Sequence, residues 1–204
     1  MPGSPGHLNF TSSISSLAKQ HGKTVGILFL AHGLMPKSIY PSQLRQAVDL
    51  LRYVVTDLGK APSQVILESD SAGGTLILGV LGHLSHPHPE LEPLPLSGPL
   101  KGVVMSSPWT NLYCTGTNYE QKKMQDPVPP SIIRLWAESW LGNATEDYYN
   151  YPAKAPASWW QGLMVREVLI VAGGDEMMLD DIQNLGHLLK VPLPNNLCSL
   201  MSLY

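Results

Sequence analysis

Between Pro41 and Leu58 the apolar residues Leu44, Val48, Leu51, Val55 and Leu58 recur at steps of four, three, four and three. That spacing keeps them on one stripe of an α-helix, and Gly59 supplies the stop. Helices are also predicted over Phe10 to Gln20, with Ile14, Leu17 and Ala18 on one face, over Ala72 to Leu84, Pro130 to Leu141, and Leu179 to Lys190. Short apolar runs alternate with them. Val25-Gly26-Ile27-Leu28-Phe29-Leu30, Val65 to Glu68, Gly102 to Met105 and Val168 to Ala172 have the length and content of buried strands. Strands alternating with helices predict an α/β fold: a mostly parallel sheet with helices on both faces.

The organisation along the chain is that of a single domain over residues 1–190. A loop carrying Pro87, Pro89, Pro93, Pro95 and Pro99 separates the helix ending at Leu84 from the strand beginning at Gly102. Residues 109–164 are irregular and rich in aromatics around one helix. Residues 191–204 hold two prolines, two asparagines and leucines without period, which reads as an irregular tail and not as a strand.

Composition narrows the function. With 204 residues, 44% hydrophobic and 14% charged, the chain is large enough for one sizeable core. A net charge of -3 provides no basic surface for nucleic acid. No apolar stretch is long enough to span a bilayer, and Met1 to Gly6 has no charged segment leading into an apolar one, so a cytoplasmic location is expected. Cys114 and Cys198 are far apart and read as reduced thiols. Neither a cofactor nor a metal is expected, and the sequence does not indicate an oligomeric state.

The residues that carry chemistry lie around Ser69-Asp70-Ser71-Ala72-Gly73-Gly74, directly behind Val65-Ile66-Leu67. A strand running through a serine with small neighbours into a helix is the setting of a nucleophilic serine. The helix start would offer the Ala72 N–H to a developing oxyanion. Gly73 meets the second glycine of G-x-S-x-G, while Ser69 stands in place of the first. The plainer reading of Ser71 is a helix N-cap. Of the seven histidines, His32 follows a predicted strand end and is the one candidate for a surrogate base. His83, His86 and His88 read as helix-end residues before a metal site, His187 as a surface residue, and Asp180 and Asp181 as charges on a helix first turn. Trp136, Trp140, Trp159 and Trp160 could line an acyl pocket, with core packing the default reading.

Together with Ser4-Pro5-Gly6-His7-Leu8-Asn9-Phe10, Tyr40 to Ala47, Ser107-Pro108-Trp109 and Gly173-Gly174-Asp175-Glu176 followed by Leu179-Asp180-Asp181, this serine motif resembles the hormone-sensitive-lipase-like α/β-hydrolases, in particular fungal esterase-like members. The resemblance runs from about Ser4 to Leu189. It implies a serine esterase acting on small-molecule esters. Ser71 is then the nucleophile and Ala72 an oxyanion donor. Asp70 and Trp109 would contact substrate, and residues 109–164 would be a cap-like insertion. The family's acidic register favours Glu176 as the carboxylate that orients a histidine, with Asp175 the competitor.

Departures from the family pattern qualify this. No His-Gly-Gly-Gly occurs in the sequence, and the pattern is left after Lys190, before the family's catalytic histidine. The resemblance therefore implies an incomplete α/β-hydrolase fold, truncated at both ends, with weak or no turnover. The alternatives are a non-catalytic pseudoenzyme or binding protein, or a truncated gene product. In the family sheet a third strand separates the counterparts of Val25–Leu30 and Val65–Leu67. Without it, those two runs must either pair with each other or leave open edges, and marginal stability is expected.

Overall fold

The computed structural model describes residues 5–115, 117–122, 126, 128–190 and 198–203. Helix α1 (Pro5–Gln20) and α2 (Ser42–Thr56) precede strand β1 (Ile66–Asp70), which runs into α3 (Ala72–Ser85). Strand β2 (Leu100–Ser106), helices α4 (Thr117–Lys122) and α5 (Pro130–Leu141), β3 (Val165–Gly173), α6 (Leu179–Lys190) and β4 (Cys198–Leu203) follow. The sheet order is β1-β2-β3-β4, and every neighbouring pair is parallel.

The core explains the pattern of the sequence. Leu44, Val48 and Leu51 of α2 are buried against α3, while Leu58 lies past the helix end and is exposed. Gly59 takes φ +60° just beyond that end, a conformation open to glycine and strained for other residues. Helix α3 is apolar nearly all round, and every residue from Gly74 to His83 is buried. Strands β2 and β3 bury Leu100, Val103, Met105, Val168 and Ile170. A second apolar cluster joins Trp109, Leu112 and Cys114 to Ile133, Ala137 and Tyr151. No helix among the described residues is long and apolar enough to cross a membrane.

Three expectations are corrected. Val25–Leu30 forms no strand: Val25, Ile27, Leu28 and Phe29 are exposed, and the run has no place in the sheet. An apolar run becomes a strand only when a neighbouring edge satisfies its backbone, and β1 bonds to β2 alone among the described strands. Residues 198–203 of the expected tail form β4, because the far edge of β3 supplies a ladder from Val168↔Cys198 to Gly173↔Leu203. Residues 191–197 lie outside the described residues. On α1, Ile14 and Ala18 are half-buried but Leu17 is 55% exposed, so the expected face is only partly covered.

Candidate active site

Because β1, β2 and β3 are parallel and in register, their carboxyl ends stand level, with Asp70 opposite Ser106 and Ser106 opposite Val171. The loops that leave this edge carry Ser71 after β1, Ser107 after β2 and Glu176 after β3, and the last two are in contact. Ligands of open α/β sheets bind at such edges.

Ser71 sits at φ 52° and ψ -118°, outside the ordinary regions for a residue with a side chain. Such a conformation costs on the order of 1–3 kcal/mol and persists only where the surroundings dictate it. Here they do. The Ser71 N–H donates to Ser106 O at 3.0 Å, and Ser71 O accepts from Gly74 N at 2.8 Å and Trp109 N at 3.0 Å. The helix can approach the β2 loop this closely only because residue 74 is glycine: a Cβ there would lie 2.4 Å from Pro108 Cβ. Ala72 opens α3, so its N–H has no carbonyl one turn back within the helix and is free of the helical ladder.

Ser107 also has positive φ, at 45°, and its N–H extends the ladder to Val171 O at 2.7 Å. Its hydroxyl donates to Glu176 Oε1, which accepts the Gly173 N–H at 2.7 Å as well. Glu176 Oε2 is buried and has no partner among the described residues. Asp175 differs: its side chain is 93% exposed and pairs with Lys122 Nζ at 3.8 Å. Lys122 also donates to Gly174 O, so α4 clamps the turn that presents Glu176. Sequence reasoning missed the part played by Ser107. The only signal for it was its place in Ser107-Pro108-Trp109.

The other candidates are placed as follows. Asp70 is half-exposed and lies 3.5 Å from His7 Nε2 on α1. The Trp109 ring is buried in the second cluster, while its backbone holds Ser71. The Trp160 side chain is fully buried, Trp159 stacks on His86 at 4.2 Å, Trp140 donates to Asn150 O, and Trp136 is exposed. His32 Nδ1 lies 3.0 Å from Gly33 O, in the segment between α1 and α2. His187, exposed on α6, has Nδ1 2.8 Å from Gln183 O.

His83, His86 and His88 are built into the fold. The His88 N–H donates to His83 Nδ1 at 3.0 Å, and the Glu90 N–H donates to His88 Nδ1 at 3.1 Å. Each ring therefore keeps its proton on Nε2, facing Glu92 O for His83 and the Tyr40 hydroxyl for His88. Burial lowers both histidines below their ordinary range. His86 Nε2 lies 3.0 Å from Trp159 O. Among the described residues no cluster of three or more His, Cys, Asp or Glu side chains could hold a metal ion.

A family model described as the alpha/beta hydrolase fold matches residues 10–192. The chain belongs to the α/β-hydrolase-fold family. Within that family it is esterase- and lipase-like. It is 26% identical over 150 residues to steryl acetyl hydrolase 1 of Saccharomyces cerevisiae, a match covering 68% of this chain and 33% of the yeast protein. Among solved structures it is similar to an esterase of the bacterial hormone-sensitive lipase family, with TM-score 0.70 and 26% identity over 84% of this chain and 54% of that one. It is similar as well to EstE5, in a crystal soaked with p-nitrophenyl butyrate, with TM-score 0.63 and 26% identity over 82% of this chain and 51% of the other. The chain thus spans about half the length of these solved α/β-hydrolases and a third of the yeast relative.

Proposed function

We propose that the chain carries the nucleophile and the acid of a serine carboxylic-ester hydrolase acting on small-molecule esters. The observation that supports this reading best is the strained Ser71 backbone at the strand-to-helix turn, with Glu176 fastened at the same sheet edge. In this reading Ser71 Oγ attacks the ester carbonyl and its proton passes to an imidazole. The Ala72 N–H donates to the oxyanion, and the imidazole returns the proton to the departing alcohol. Water then attacks the acyl-serine, which releases the acid and regenerates Ser71. Glu176 Oε2, buried and open to a donor, is the oxygen that would orient the imidazole. Asp175 is too exposed for that task.

Turnover by this chain alone is weak. The partners seen for Glu176 are Ser107 and Gly173, and those seen for His32, His83, His86, His88 and His187 lie elsewhere. A serine without a base is a poor nucleophile. The same observation favours, as a second reading, a binding protein that keeps the shape of the site without its chemistry.

Hydrolysis of p-nitrophenyl butyrate by the purified chain and by Ser71→Ala, with and without added imidazole, tests both points. Low turnover that imidazole raises further in the parent than in Ser71→Ala is the expected result. An equal imidazole response in the two proteins overturns Ser71 as nucleophile. Fast Ser71-dependent turnover without imidazole overturns the weak-activity reading and directs attention to His32 and to His7.

A further inference from the structure

The sheet ends at β1 with an edge that no described strand covers. Val65 O accepts from Lys101 N at 2.9 Å and the Ser71 N–H donates to Ser106 O at 3.0 Å, so the odd-numbered residues here turn their backbone toward β2. Successive residues of a strand alternate in that direction. The N–H and C=O groups of Ile66, Glu68 and Asp70 therefore point outward along the open edge. His7 of α1 stands 3.5 Å from Asp70 at the carboxyl end, and Ile66 at the other end is 53% exposed. The chain also holds a segment in need of an edge. Every residue from His21 to Phe29 is exposed, and the backbone groups from Thr24 to Leu30 have no hydrogen-bond partner among the described residues.

We propose that two copies of this chain pair by reciprocal exchange, Val25–Leu30 of each adding as a strand beside β1 of the other. The two surfaces match in length, six residues against five. They also match in charge. Residues 5–41 include Lys19, Lys23 and Lys37 and no aspartate or glutamate, whereas β1 exposes Glu68 and Asp70. Neither Glu68 nor any of the three lysines is in an ion pair among the described residues. The acids of β1 turn away a neutral or acidic strand, and a strand approached through Lys19 and Lys23 answers them. Pairing of β1 with β1, or of one apolar run with another, would instead set like charges side by side. A lipid surface fits poorly, because the unbonded backbone of the run would enter hydrocarbon without partners. Strand addition supplies those partners, and reciprocal exchange closes the assembly at two copies.

Sedimentation of the whole chain over micromolar to submillimolar concentrations reads the association, and amide exchange followed by NMR locates it. The parent is expected to pass from monomer to dimer, with the N–H groups of Ile66, Glu68, Asp70 and Val25–Leu30 gaining protection as it does. In Leu28→Pro/Phe29→Pro, one of the two lost N–H groups must face β1, because neighbours in a strand point opposite ways. Glu68→Pro removes an outward N–H that β2 does not use. Both variants are expected to weaken dimerisation about tenfold or more. A parent that stays monomeric, or a dimer whose β1 amides exchange as fast as the monomer's, overturns the proposal. An unchanged dimer in Leu28→Pro/Phe29→Pro overturns it in favour of edge against edge, and one in Glu68→Pro in favour of run against run. If Glu68→Pro does not fold, the β1 amide exchange and the Leu28→Pro/Phe29→Pro protein decide the matter.

Discussion

Replacing Gly74 with alanine places a methyl carbon 2.4 Å from Pro108 Cβ and 2.8 Å from Pro108 Cα. Ordinary carbon–carbon contact is about 3.5–4.0 Å, so Pro108 would have to retreat by more than about 1 Å. Its neighbours resist that movement. Trp109 N is bonded to Ser71 O at 3.0 Å, the Thr75 hydroxyl donates to Trp109 O, and Ser107 N is bonded to Val171 O at 2.7 Å. Overpacking of a pinned backbone falls near the upper end of the usual range, about 3 kcal/mol. Alanine recovers about 1 kcal/mol of helix propensity inside α3, leaving a net loss of about 2 kcal/mol. For a chain of this size that lowers the melting temperature by roughly 4–8 °C. Urea titration followed by circular dichroism measures it, with Gly98→Ala as control, since a Cβ at Gly98 meets nothing within 4 Å. The control should stay within about 0.5 kcal/mol of the parent. A Gly74→Ala protein as stable as the parent would refute the claim that close approach to Pro108 fixes the Ser71 turn.

Acid should weaken the fold through His83 and His88. Burial lowers both, so between the ordinary value near pH 6.5 and their lower folded values the unfolded chain binds more protons. Their contribution is complete above about pH 6.5 and is lost as pH falls below it. Glu68 and Asp181, raised by burial, act in the opposite sense from their ordinary carboxylate range upward. Urea midpoints measured from pH 7.5 to 5.5 should fall, and His88→Gln should flatten the slope; a parent midpoint independent of pH in that window contradicts the assignment. Cys114 is 1% exposed and its thiol is pushed up to about 12, mainly by burial, so a disulfide reagent at pH 8 should modify it only after unfolding. Rapid labelling of that residue in the native protein, located by peptide mapping, would count against its burial.

Much of the fold is legible where one element decides its own fate. Helix α6 spans the range expected from the sequence, Leu179–Lys190, because its apolar positions Ile182, Leu185 and Leu189 fall on one stripe and all are buried. Helix α5 likewise spans Pro130–Leu141, opened by a proline and closed by Gly142 at positive φ. The site is legible to a lesser degree. Small residues around Ser71 mark the turn, but only the packing of Gly74 on Pro108 shows why they are small. The choice between Asp175 and Glu176 follows in the sequence from family register alone. In the structure the Ser107 hydroxyl and the Gly173 N–H hold the Glu176 carboxylate inward while Asp175 is exposed beside Lys122, and our proposal of Glu176 rests on that difference.

The two strand errors have one cause. Val25–Leu30 is more apolar than Cys198–Leu203, so local content favours the first as a strand. Content does not decide it, because a strand is a property of a pair. Residues 198–203 lie beside β3, whose outer edge would otherwise be left unpaired in the middle of the apolar core. There a segment with no polar–apolar alternation is enough to pair, with Leu200 turned to the core and Met201 to solvent. At the other end of the sheet β1 shows the opposite balance. Its outer positions Ile66, Glu68 and Asp70 are exposed, and two of the three are acidic, a composition that discourages another strand from adding there. Within the chain, Val25–Leu30 does not join that open edge; Val25, Ile27, Leu28 and Phe29 stay at the surface and Leu30 alone packs on the core.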